Sequence, residues 1–97
     1  MMYLKRYETE SDILVVVCDR KLIGKKFKED ELVLDVSEEF YKGVPATDKE
    51  VIEALDAATI ANLVGDEVIR CAIDNGFIDE CAVIKIGGVP HAQMIRI

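Results

Sequence analysis

A chain of 97 residues with 51% hydrophobic side chains can fill one core but not several, so a single domain over residues 1–97 is expected. Its formal charge of −7 argues against a protein that coats nucleic acid non-specifically. Its longest unbroken apolar run, Ile13 to Cys18, is far too short to cross a bilayer. Three widely spaced cysteines, Cys18, Cys71 and Cys81, are an odd number and read as free thiols in a reducing compartment. With no apolar signal core at the N-terminus, the expected location is cytoplasmic.

The first predicted strand holds Tyr3, Lys5 and Tyr7 in alternation with Leu4 and Arg6. The polar cluster Glu8 to Asp12 reads as a turn. Ile13 to Cys18 is continuous and β-branched, the pattern of a central strand covered on both faces. Asp19 to Lys28 is ambiguous between a helical turn ending at Gly24 and a loop swinging back across a sheet edge. Leu32, Leu34 and Val36 give a third strand. Ser37 to Tyr41 reads as one capped helical turn that ends at Gly43.

Thr47-Asp48-Lys49-Glu50 has the form of a capping box, in which hydroxyl and carboxylate each satisfy the other residue's amide. Behind it Val51, Ile52, Leu55, Thr59 and Leu63 recur at helical spacing. The expectation is a helix over 47–65, closed by Gly65. Asp66 would then cap a second helix carrying Val68, Ile69, Ala72 and Ile73 on one face and ending at Asn75-Gly76. The last segment holds Ile84 and Ile86, the joint Gly87-Gly88-Val89-Pro90-His91, and Ile95 and Ile97, which reads as a β-hairpin. Strands segregated from helices predict an α+β fold. Its simplest form is a two-layer sandwich, a mainly antiparallel sheet of about five strands with two helices on one face.

Charge is unevenly spread. Residues 1–28 carry seven basic and four acidic side chains, net +3, and residues 29–97 carry five basic and fifteen acidic, net −10. Lys21, Lys25, Lys26 and Lys28 lie close together with no acid between them, and Arg20 stands just before. Such density suits phosphate contact, and Phe27 among them could stack on an unpaired base. The plain alternative is a lysine-edged loop that discourages edge-to-edge sheet pairing. The run Glu29-Asp30-Glu31 that follows could complement the lysines within the fold.

His91, the chain's one histidine, sits beside Gly87 and Gly88 in the segment richest in special backbone chemistry. It could serve as a base or ligand if a cysteine or carboxylate approached it, or it could simply bond backbone in a turn. Asn62 and Gln93 are the polar company expected for a small-molecule site with Gly87, Gly88 and His91. No Cys-x-x-Cys or His-x-x-x-His spacing occurs, so no metal, no cofactor and no disulfide are expected. The glycine pair lacks the lysine, hydroxyl and following helix of a phosphate-binding loop.

Three stretches, KLIGKKFKEDELVLDVSEEFY, ATIANLVG and VIKIGGVPHAQMIRI, together resemble a small archaeal family known as domain of unknown function four hundred and twenty-four. The blocks Ala58–Gly65 and Ile86–Gln93 are its specific parts. The resemblance spans essentially the whole chain and implies a two-layer α/β sandwich in an archaeal cytoplasmic protein, with an association with translation genes. It carries over no catalytic residue, ligand or cofactor.

Two readings follow. The favoured one is a binding module, not an enzyme, that docks on RNA, the ribosome or a translation protein through Lys21, Lys25, Lys26, Phe27 and Lys28. The other is a small-molecule-binding protein or enzyme centred on Asn62, Gly87, Gly88, His91 and Gln93. A flat lysine-bearing surface would favour the first, and a pocket gathering Asn62, His91 and Gln93 the second.

Overall fold

The β-branched run Ile13–Asp19 forms strand β2 at the middle of the sheet, and Val15, Val16, Val17 and Cys18 are all fully buried. Burial of consecutive residues requires cover on both faces, as the unbroken apolar pattern predicts. The computed structural model describes residues 1–96, so the expected place of Ile97 in the last strand lies outside the described residues. Strand β1 (Met2–Glu8) pairs antiparallel with β2 along its whole length. Strands β3 (Lys26–Glu29) and β4 (Leu32–Asp35) form a separate two-stranded hairpin, reached from β2 through a 3-10 turn over Arg20–Leu22.

Helix α1 (Glu38–Tyr41) is a single turn capped by Ser37, whose hydroxyl accepts from the Phe40 amide. Strand β5 (Val44–Ala46) then pairs with the outer edge of β1. Helix α2 (Asp48–Ala57) starts with both bonds of the Thr47–Glu50 capping box in place. After it come strand β6 (Ile60–Val64), helix α3 (Asp66–Asp74), a 3-10 turn over Glu80–Ala82, and strands β7 (Ile84–Ile86) and β8 (Val89–Ile95). The main sheet runs β5-β1-β2-β6-β8-β7 and is antiparallel except for the β2–β6 pair.

The fold is α+β, with α2 and α3 together on one face of a mixed, mainly antiparallel sheet. There Val51 and Leu55 of α2 and Val68, Ile69 and Ala72 of α3 meet Val15, Val17, Ala61, Leu63, Ala92 and Met94. The opposite face carries a partial further layer, in which the β3–β4 hairpin and α1 bring Leu34, Val36 and Tyr41 onto Val16, Cys18, Val64, Ile86 and Val89. Six strands in the sheet and two in the hairpin exceed the five expected. The surplus comes from β5, β6 and the ambiguous lysine segment, which becomes β3.

One expected helix is two elements. Residues 47–65 do not form a continuous helix, because α2 ends at Ala57 and 60–64 is extended. Thr59 ties this break to β2: its amide donates to the Ile13 carbonyl and its hydroxyl accepts from the Ile13 amide, both at 2.9 Å. Leu55, Thr59 and Leu63 match helical spacing by coincidence. In the fold Ala61 and Leu63 face the helices while Asn62 and Val64 face the other way, and the run fills the gap between β2 and β8.

Gly65 opens α3 instead of closing the segment before it. Its φ is +111°, and a Cβ there would run into the Asp19 carboxyl group. Asp66 makes no capping bond. The buried Asp19 at the end of β2 accepts from the Glu67 and Val68 amides at 3.1 and 3.0 Å. An acid distant in sequence thus fills the role expected of the local one.

The C-terminal hairpin turns in two residues. Gly87 and Gly88 have φ of +58° and +83°, as a type I′ connection requires, and pairing resumes at once with Ile86 opposite Val89. Pro90 and His91 therefore lie within β8 and not in the loop where the sequence pattern set them. An internal strand tolerates this proline for a specific reason. Its carbonyl accepts from the Gly65 amide at 2.9 Å, while the Gly65 carbonyl is taken by the Ile69 amide of α3. No donor is needed at Pro90.

Candidate functional site

The lysine segment is built around one inward residue. Along β3, side chains alternate, so Phe27 turns toward the buried cluster with Leu34 while Lys26 and Lys28 point outward. Phe27 is partly buried against that core, which commits its ring to packing instead of presenting it beside the lysines. On the outer side of the hairpin Lys26 faces Asp35 and Lys28 faces Val33, which is 55% exposed. Lys26 Nζ lies 3.9 Å from the Asp35 carboxylate, with both side chains more than half exposed. A pair in that setting contributes little and leaves the ammonium free to take another anion.

All four lysines are exposed. Lys25, Lys26 and Lys28 are exposed on or beside the hairpin, whereas Lys21 lies by Arg20, Asp66 and Glu67 at the start of α3. The acid run closes the hairpin: Asp30 and Glu31 form its tip, and Glu29 reaches across to accept from the Gly87 amide at 3.1 Å. This contact seats the hairpin on the β7–β8 turn. It also occupies the Gly87 amide, one of the two that could have held a small anion there.

The other set of expected residues does come together in part. Strand register puts Asn62 opposite Gln93 and Val64 opposite His91. Since Val64 and Val89 face the hairpin side, Asn62, His91 and Gln93 share that face too. On it Val64, Ile86 and Val89 belong to the buried cluster, whereas Ile84 and Ile95, toward the far ends of β7 and β8, are 49% and 66% exposed. Asn62 Oδ1 accepts from the Tyr41 hydroxyl at 3.3 Å, and burial raises the Tyr41 pKa, keeping that phenol a donor. His91 Nδ1 lies 3.0 Å from the Leu63 carbonyl. A carbonyl only accepts, so that bond puts a proton on Nδ1. Gly87 and Gly88 stand apart at the turn, and neither of the two grooves lined by α3 and its N-terminus includes Asn62, His91 or Gln93.

Among the described residues, no cysteine is hydrogen-bonded to the histidine. Cys71 lies among the residues packed on the helix side of the sheet, and Cys81 is exposed in the 3-10 turn before β7. Cys18 shares the face of His91 but stands beyond Val64, which pairs with both. Burial pushes the Cys18 thiol up to about 12 and raises Cys71 as well, so neither supplies a thiolate near neutral pH. Among the described residues, no three His, Cys, Asp or Glu side chains are grouped to hold a metal ion. No helix is long and apolar enough to cross a membrane.

The model for the family described as "Protein of unknown function (DUF424)" matches residues 7–97. The chain belongs to this family. The resemblance carried by the lysine segment, Ala58–Gly65 and Ile86–Gln93 thus holds over nearly the full length. The fold of this DUF424 member is similar to the crystal structure of an uncharacterized conserved protein from Methanopyrus kandleri, an archaeal source. The two share a TM-score of 0.83 and 25% identity over 96% of this chain and 89% of that one. No curated protein matches the chain.

Sequence reasoning missed two residues that organise this DUF424 chain. Asp19 follows a buried strand and precedes two basic residues, and nothing local marks it as the cap of a helix nearly fifty residues later. Tyr41, read only as the end of a helical turn, supplies the hydroxyl that holds Asn62. A signal was available for Asp19, since an acid ending a fully apolar strand must find donors.

Proposed function

We propose that this DUF424 protein is a binding module that docks on RNA, including ribosomal RNA, through the β3–β4 hairpin. The observation that carries this reading is the outward presentation of Lys25, Lys26 and Lys28 on a hairpin that Phe27 and Leu34 anchor to the body. Ammonium groups on a fixed, solvated ribbon can neutralise adjacent phosphates without rearranging the core. The three lysines on or beside the hairpin address roughly two or three phosphates. On single strands this gives a log–log salt slope of about −1.5 to −2. The net charge of −7 makes binding weak and oriented, since a polyanion must meet the outward lysine side of the hairpin and avoid the acids at its tip.

The test is filter binding or anisotropy with unstructured RNA and with purified ribosomes at low salt. Lys25→Glu combined with Lys26→Glu should abolish binding and leave the fold intact, because both side chains are exposed. Equal binding by parent and double variant, or no binding by the parent at low salt, sinks the RNA reading. A second reading, a small polar ligand on the sheet face, draws on the shared face of Asn62, His91 and Gln93. Loss of a bound metabolite on Gln93→Ala, with RNA binding absent, would favour it.

A further inference from the structure

A groove of about 690 Å³ runs between helix α3 and the end strand β7, on the side of the sheet away from the lysine hairpin. Its floor is apolar: Ile69 is buried, and Ile73 and Val83 are half-buried. The α3 wall presents Asp66, Arg70 and Asp74, one helical turn apart on one face. Glu80 and Lys85 stand on the other wall. None of these five charged groups makes an ion pair among the described residues.

The β7 wall also offers backbone. The two-residue turn makes Ile86 and Val89 a hydrogen-bonded pair, so Ile84 and His91 form the next one. Lys85, between them, turns its N–H and C=O away from β8 toward the open edge. Among the described residues, its amide has no other backbone partner. A helix wall, an apolar floor and a free strand edge are what an extended peptide needs to add to a sheet and place one side chain in a pocket.

We propose that the α3–β7 groove binds an extended lysine- or arginine-bearing peptide segment, which adds to β7 and seats a large aliphatic side chain on Ile69, Ile73 and Val83. Charge selects this occupant. The rim carries three acids against two bases, and the chain as a whole is net −7, so an approaching basic segment is steered in and an acidic one repelled. The proposal is independent of the RNA reading, which uses the opposite face.

The experiment is an amide-resolved NMR titration of the full chain with two short synthetic peptides. One has an isoleucine flanked two residues away on each side by lysine and the other by glutamate, threonine filling the positions between, so that charge and isoleucine share one strand face. The lysine peptide should shift the Ile73, Val83 and Lys85 amides, and the glutamate peptide should not. Asp74→Lys with Glu80→Lys should weaken the lysine peptide by about tenfold or more. Lys85→Pro, which removes the outward N–H and no bond to β8, should abolish binding with the rest of the spectrum unchanged. If that variant does not fold, the charge-reversed pair carries the test. Equal binding of both peptides, shifts mapping elsewhere, or undiminished binding by the variants overturns the proposal. So do groove shifts that grow with protein concentration alone, which would assign the groove to a second copy of the chain.

Discussion

At the residue scale, Asp19 is the side chain on which most depends. It is buried at the junction of β2, β6 and α3 and answers two amides of the α3 N-terminus. Burial raises its pKa above the ordinary 3.8, although the two amide bonds pull the other way. The folded state therefore binds this proton more tightly than the unfolded state. The resulting stabilisation is complete below pH ~3.8 and is lost as pH rises through the folded-state value. Asp19→Asn keeps the shape but turns an amide N–H₂ toward helix donors, at an expected cost of about 1–3 kcal/mol. That cost should be larger near pH 4 than near pH 7 in parallel urea titrations. A penalty that grows with pH would mean that the helix amides outweigh burial.

At the element scale, what could be read from the pattern is what local chemistry decides. The Thr47–Glu50 box starts α2 through bonds within one helical turn, and the β7–β8 hairpin closes on Gly-Gly through its own backbone. Thr47→Ala should cost about 1 kcal/mol in urea unfolding. Since Thr47 and Glu50 answer each other, the double alanine variant should cost less than the two single variants summed. Strand β6 was illegible because its partners decide it. Leu55, Thr59 and Leu63 suit a helix, and only the vacancy between β2 and β8 makes the run extended. The same holds at the site. Alternation along β3 follows from the sequence once β3 is known to be a strand, and it turns Phe27 inward. The ambiguity at Asp19–Lys28 hid that. The shared face of Asn62, His91 and Gln93 depends on β6–β8 register, which no local signal supplies.

At the scale of the whole molecule, acids stand on both sides of the sheet, with Glu29, Asp30, Glu31 and Asp35 beside the hairpin lysines. The hairpin with Lys25, Lys26 and Lys28 lies on one side of the sheet, and α3 with its acids lies on the other. Layers stack about 10 Å apart, so the lysines and the α3 groove are separated by roughly 20 Å. The Cα extents are 34 × 28 × 26 Å, so the α3 acids and an RNA bound at the hairpin never lie far apart. Screening decides whether they interact. The Debye length is about 30 Å at 0.01 M salt and about 8 Å at 0.15 M. Asp74→Lys with Glu80→Lys, far from the hairpin, should therefore tighten RNA binding several-fold at the low salt and leave it unchanged at the high one. Anisotropy titrations of the same RNA at both salts check this. Equal tightening at both salts would mean that the new lysines touch the RNA directly. No tightening at low salt would mean that the acidic body does not oppose the hairpin, and the account of weak, oriented binding would fall with it.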